Sequence, residues 1–147
     1  MKTSHQGLQL LIEREGKRNK AYPDTKGIPT IGVGHTGPEV HLGLVWSDEK
    51  VEEVFAQDIE RFEKAINENV HVELKQHQFD ALVSWLFNVG TGWARKPAHL
   101  IRLVNAGNFE AAAREFDKWH IPPEITSRRN GEREQFKGTR FEARIAA

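Results

Sequence analysis

Cysteine is absent from the 147 residues, so neither a disulfide framework nor a thiolate nucleophile or thiolate metal site is available, and stability must come from packing. A net charge of either sign is also missing. Lysines and arginines equal aspartates and glutamates at 21 each, which removes the whole-chain attraction to phosphate backbones that nucleic-acid binders show. That balance conceals an uneven distribution, since residues 1–94 carry 10 basic and 14 acidic side chains and residues 95–147 carry 11 and 7. Long apolar runs are lacking. The stretch LQLLI near the start is too short for a signal-peptide core or a membrane span, and Glu13, Arg14 and Glu15 follow at once. The chain is therefore expected to be made and folded in a cytoplasm, reaching any outside substrate only after something else releases it. There is no internal repeat or low-complexity tract, and the histidines show no metal-ligand spacing such as HExxH, so no metal is expected.

What is present fits one compact domain, long enough to bury roughly 70% of its unfolded surface. Leu8, Leu11 and Ile12 recur at three- and four-residue steps between Ser4, a candidate cap, and Gly16, a candidate stop. The spacing predicts a short amphipathic helix ending at Glu15. Glycines and prolines then punctuate residues 17–37, with Tyr22, Ile28, Ile31 and Val33 between them, which predicts a small twisted hairpin. Ser47 with Asp48 and Glu49 behind it opens a helix in which Val51, Val54, Phe55, Ile59, Phe62 and Ile66 keep helical spacing, predicting one continuous element over about 47–69. Residues 78–89 are apolar on nearly every side, the mark of a central helix. Shorter helices follow around Leu100–Val104 and up to Trp119, separated by NAGN at 105–108, and a last basic helix is expected over about 126–136.

Chemistry concentrates at the helix-to-hairpin junction. Glu15 and Gly16 are followed by Asp24, nine positions after that acid, and then by Thr30, Gly34 and His35 in the run PTIGVGHTG. Cleavage of a glycosidic bond needs a proton delivered to the leaving oxygen and an opposing group that attacks the sugar or activates water. Two carboxyls in unlike environments supply both: one pressed against apolar walls keeps its proton, and one in a wet, hydrogen-bonded turn stays ionised. Glu15, beside Ile12, suits the first role and Asp24, in the polar turn YPDTKG, the second. Thr30 offers a hydroxyl that can orient a water near Asp24. Taken singly, each has a plainer reading: Glu15 as a solvated charge, Asp24 as a turn residue bonding its own backbone, and Thr30 as an ordinary strand residue.

The segment AYPDTKGIPTIGVGHTG at 21–37 after Glu15-Gly16, SDEKVEEVFAQDI at 47–59, FDALVSWLFNVG at 79–90, LIRLVNAGNFEAAAREFDKW at 100–119 and RRNGEREQF at 128–136 together resemble the phage-type lysozymes, the endolysins or muramidases that cut bacterial peptidoglycan. The resemblance covers nearly the whole chain. It implies a lysozyme-like α+β fold with a small β-hairpin lobe over about 16–46, a linking helix over about 47–69, and a larger helical lobe over about 75–136 joined by the N-terminal helix. It implies Glu15 as general acid, Asp24 as the carboxylate that activates water and Thr30 as the residue placing that water. It further implies a monomer without cofactor, peptidoglycan as partner, no nucleic acid, and release from the host cytoplasm to the cell wall through a holin-type pore. The rival readings are a lytic transglycosylase, which uses one glutamate and leaves an anhydro end, and a catalytically silent wall-binding module.

His35 reads on its own as a general base or metal ligand, whereas the resemblance points to a structural ion pair with Asp58. Thr36, Phe87 and Asn88 fall at positions that face the glycan in the family. Of the four tryptophans, Trp46, Trp85 and Trp119 fit core patterns, and Trp93, between Gly92 and Ala94, is the candidate wall for sugar stacking. Arg128, Arg129, Arg133, Lys137, Arg140 and Arg144 outnumber Glu132, Glu134 and Glu142, which suggests either a solvated face or attraction to an anionic cell-envelope surface. Residues 139–147 fit no pattern.

Overall fold

Ser4 starts the first helix by accepting the Gly7 N–H on its hydroxyl at 3.0 Å. This helix, α1, runs His5–Glu15. Gly16 ends it at φ +78°, returning its N–H to Ile12 O at 2.7 Å, a left-handed stop that a side chain would strain. The computed structural model describes residues 1–90, 99–119 and 126–138. Two compact units divide the chain, Leu8–Glu60 and Met1–Gly7 with Arg61 onward.

In the unit Leu8–Glu60, β1 (Arg18–Pro23) and β2 (Pro29–Gly32) pair antiparallel, with Tyr22 opposite Thr30 and Pro23 opposite Pro29. The far edge of β1 receives the segment around Leu44–Trp46: Ala21 N–H donates to Leu44 O at 2.9 Å and Trp46 N–H to Asn19 O at 2.7 Å. Beneath lie Ala21, Ile31 and Val40, packed by Leu44 and Trp46. The next helix, α2 (Asp48–Asp58), starts at Ser47, whose hydroxyl accepts the Lys50 N–H at 3.1 Å. Lys17 and Asn19 both donate to the Asp48 carboxylate, which they hold below its ordinary pKa, fastening the start of β1 to the first turn of α2.

The span expected as one linking helix is divided. α2 stops at Asp58 and α3 runs Glu60–Asn69. Ile59 between them takes φ −86° and ψ −4° and shares its N–H between Gln57 O and Phe55 O. A shared donor is common at helix ends, and Phe55, Ile59, Phe62 and Ile66 are each buried on either side of it.

The other unit centres on α4 (Gln76–Val89), in which every residue from Gln78 to Leu86 is buried. Around it come α5 (His99–Asn105), α6 (Phe109–Glu115) with a 3₁₀ turn at Phe116–Lys118, and α7 (Thr126–Lys137). Phe79, Leu82, Trp85, Leu100, Ile101, Val104, Phe116 and Phe136 are each at most 1% exposed and form its core. The first residues are tied in as well. Ser4 donates to Asp80 through both its N–H and its hydroxyl, Gln76 Nε2 donates to Lys2 O at 2.8 Å, and Thr3 N–H donates to Glu63 at 2.6 Å. Burial pushes the Asp80 carboxyl up, and the bonds from Ser4 and Gln76 oppose that shift. Among the described residues no helix is long and apolar enough to cross a membrane.

Candidate active site

Glu15 is the last residue of α1, brought to the start of the hairpin by the turn at Gly16. Its side chain is exposed, not walled by apolar groups as the sequence suggested, although its spacing from Leu8 and Leu11 puts it in line with the face that α1 buries. Asp24 follows β1 at the turn into β2. Its backbone N–H donates to Ile28 O at 2.9 Å, and its Oδ1 accepts the N–H groups of Lys26 at 2.8 Å and Ile28 at 2.9 Å. The plain turn role is therefore real, and it uses only one carboxylate oxygen. Among the described residues Oδ2 accepts no bond, so the carboxylate is fixed in direction with one oxygen still able to take a proton or a water.

Thr30, 3% exposed, donates its hydroxyl to Ile28 O at 2.9 Å. Asp24 and Thr30 thus grip opposite sides of one residue, Asp24 at the Ile28 N–H and Thr30 at its carbonyl. Since the Thr30 proton is committed to that carbonyl, the hydroxyl meets any further partner as an acceptor.

The structure brings His35 and Asp58 together: the His35 Nδ1 to Asp58 Oδ2 distance is 2.7 Å. On the other ring nitrogen, Nε2 stands 2.6 Å from Glu39 Oε1. Burial favours the neutral ring, yet hydrogen bonds with Glu39 and Asp58 outweigh it and raise the His35 pKa above its ordinary 6.5. The same contact lowers Glu39 from 4.5. Trp46 lies beside the imidazole with ring centroids 5.5 Å apart. Glu39 was missed in the sequence, although its position four residues after His35 was a readable signal.

Thr36 is exposed, one residue beyond this bracket. Phe87 is half-buried at the end of α4 and packs edge-on against Phe62 at 5.1 Å between centroids. Asn88, next to it, is exposed, and its Oδ1 accepts a bond from Arg129. Trp93, like Arg140 and Arg144, lies outside the described residues. Trp85 is fully buried and meets Trp119 edge-on at 5.4 Å.

The basic stretch of α7 differs from a solvated face. Arg129 has no exposure and pairs with equally buried Glu132, Arg128 reaches Glu132 at 3.1 Å, and Arg133 reaches Asp117 at 2.9 Å. Spacings of three and four residues between opposite charges let one helix face fold its cations inward. Lys137 remains exposed.

Residues 12–132 match the family model described as phage lysozyme. The endolysin of Salmonella phage P22 is 40% identical over 144 residues, covering 92% of this chain and 98% of that protein. The endolysin of Bacillus phage B103 is 43% identical over 125 residues, which are 82% of this chain and 46% of that protein, so this chain spans less than half of that relative. The crystal structure of a P22 lysozyme mutant is similar at a TM-score of 0.86 and 39% identity, over 92% of this chain and 98% of that one.

Proposed function

The chain belongs to the phage lysozyme family of glycoside hydrolases, and from that premise we propose that it is an endolysin hydrolysing the β-1,4 bond between N-acetylmuramic acid and N-acetylglucosamine in bacterial peptidoglycan. Glu15 is the general acid that protonates the leaving glycosidic oxygen. Asp24 takes a proton from the attacking water through Oδ2, and Thr30, as an acceptor, holds the second proton of that water. The observation that carries the reading is the division of labour on the Asp24 carboxylate, with Oδ1 clamped by two backbone N–H groups and no bond to Oδ2 among the described residues. A base must be both aimed and open, and this one is. Water attack from the face opposite the acid inverts the sugar and calls for about 6.5–9.5 Å between the carboxyls.

The enzyme works as a monomer on the cell wall, reached from the host cytoplasm through a holin-type pore. Attraction to anionic envelope polymers rests on exposed Lys137 and on Arg140 and Arg144 of the sequence that follows, since Arg128 and Arg129 are turned inward. A lytic rate indifferent to added salt would exclude that attraction.

Mass spectrometry of fragments from purified peptidoglycan tests the chemistry. Hydrolysis leaves reducing ends, a transglycosylase leaves anhydro ends lighter by one water, and a silent wall-binding module leaves the polymer intact. Glu15→Gln, run alongside, should fold normally and lose nearly all activity. Retention of more than about a tenth of the wild-type rate would remove Glu15 from the role of acid.

A further inference from the structure

Asp24 to Ile28 carry the chain from β1 to β2, and backbone bonds alone are enough to close that turn. Gly27 N–H donates to Asp24 O and Asp24 N–H donates to Ile28 O, both at 2.9 Å. The Asp24 side chain nevertheless adds two more bonds, taking the N–H groups of Lys26 at 2.8 Å and Ile28 at 2.9 Å on one oxygen, Oδ1. Ile28 O, already engaged by Asp24 N–H, also accepts the Thr30 hydroxyl at 2.9 Å. One backbone residue therefore sets the direction of both side chains assigned to the attacking water. Ile28 does this without its side chain, which is 45% exposed.

Gly27 lies between the two donors that meet on Oδ1. In an extended chain, N–H groups two residues apart are separated by about 7 Å, too far for a single acceptor. Gly27 takes φ +80°, and the chain curls so that both N–H groups reach the same oxygen. Space does not demand a glycine here, because a Cβ on Gly27 would meet nothing within 4 Å. The demand is conformational. A positive φ is open to glycine, tolerated by asparagine, disfavoured for alanine and worst for a β-branched residue.

We propose that Gly27 is a positioning residue for the hydrolysis: its left-handed backbone aims the Asp24 carboxylate and, through Ile28, the Thr30 hydroxyl. This rests on the assignment of Asp24 as the base given above. A carboxylate released from those two N–H groups turns about its own bonds and spends little time lined up with the water, which slows the chemical step and leaves binding of the polymer alone.

Steady-state kinetics on solubilised peptidoglycan with Gly27→Asn, Gly27→Ala and Gly27→Val test this. Rates are taken per folded molecule, with the folded fraction read from thermal melts, so a hairpin that is merely destabilised gives a flat series. kcat should stay within about twofold of wild type in Gly27→Asn, fall about tenfold in Gly27→Ala and about a hundredfold in Gly27→Val, with KM within about twofold throughout. A flat series, a loss in Gly27→Asn equal to that in Gly27→Val, or a KM that moves as far as kcat overturns the proposal. Where Gly27→Val does not fold, Gly27→Asn and Gly27→Ala carry the comparison, and equal kcat in those two overturns it. Asp24→Asn separates the premises, since it keeps Oδ1 as acceptor for both N–H groups and loses the basic oxygen. If it is inactive and the Gly27 series is flat, only the positioning role fails. If it keeps more than about a tenth of the wild-type kcat, Asp24 is not the base and this inference falls with that assignment.

Discussion

A histidine with a carboxylate on each ring nitrogen can satisfy both only when it carries two protons. His35 stands in that position between Asp58 and Glu39. Its pKa is raised in the folded state, so its contribution to stability is complete below about 6.5 and is lost as pH climbs through the raised value. Glu39 is lowered, so its share is present above about 4.5 and is lost as pH falls through the lowered value. Between those limits the bracket contributes most. Thermal melts of His35→Asn should show the largest loss of Tm near pH 5.5 and a shrinking loss above pH 7, with small magnitudes because Glu39 is exposed and salt screens it. A Tm difference that does not change with pH would exclude the charged bracket. At this scale the sequence held the residue types but not their environments. Asp24, Thr30 and His35 could be picked out by spacing, whereas the exposure of Glu15 runs against a spacing that lines it up with Leu8 and Leu11, and the inward turn of Arg129 depends on a partner helix.

α1 depends on its ends more than its length. Ser4 serves two structures together, since its hydroxyl accepts from Gly7 and donates to Asp80. Gly7 has no side chain to spare there, as a Cβ would come within 2.5 Å of Asp80 Cγ. Ser4→Ala should lower stability by about 1–2 kcal/mol, from the lost cap and the unpaired buried carboxylate oxygen, measurable by urea unfolding. A change under about 0.3 kcal/mol would mean that water replaces the hydroxyl at no cost. Caps and stops of this kind were readable from residue order: Ser4, Gly16 and Ser47 stand where helix chemistry needs them. The division at Ile59 was not, because the apolar spacing of Phe55, Ile59, Phe62 and Ile66 passes through it unchanged and only the sharing of one N–H marks it.

For the molecule as a whole, the likeness to a P22 lysozyme at a TM-score of 0.86 agrees with the α+β arrangement that the family resemblance implied. Periodicity identified α4 as central, and burial of every residue from Gln78 to Leu86 agrees. Hydropathy could not anticipate that the α4 and α7 contact would contain ions, since Arg129 and Glu132 look like surface residues until the helix is packed. Glu132→Leu leaves Arg129 buried without its carboxylate and should cost about 3–5 kcal/mol in equilibrium unfolding, while Arg129→Met with Glu132→Gln should cost far less than the sum of its parts. Equal costs for the single and double variants would mean that the two charges do not interact.

The neighbourhood of Trp46 and His35, with ring centroids 5.5 Å apart, has an optical consequence. A charged imidazolium accepts an electron from an excited indole, so light from Trp46 dims when the ring gains its second proton. A chain keeping Trp46 as its sole indole would turn the ionisation of the hairpin bracket into a colour-independent brightness signal, read in solution without unfolding anything.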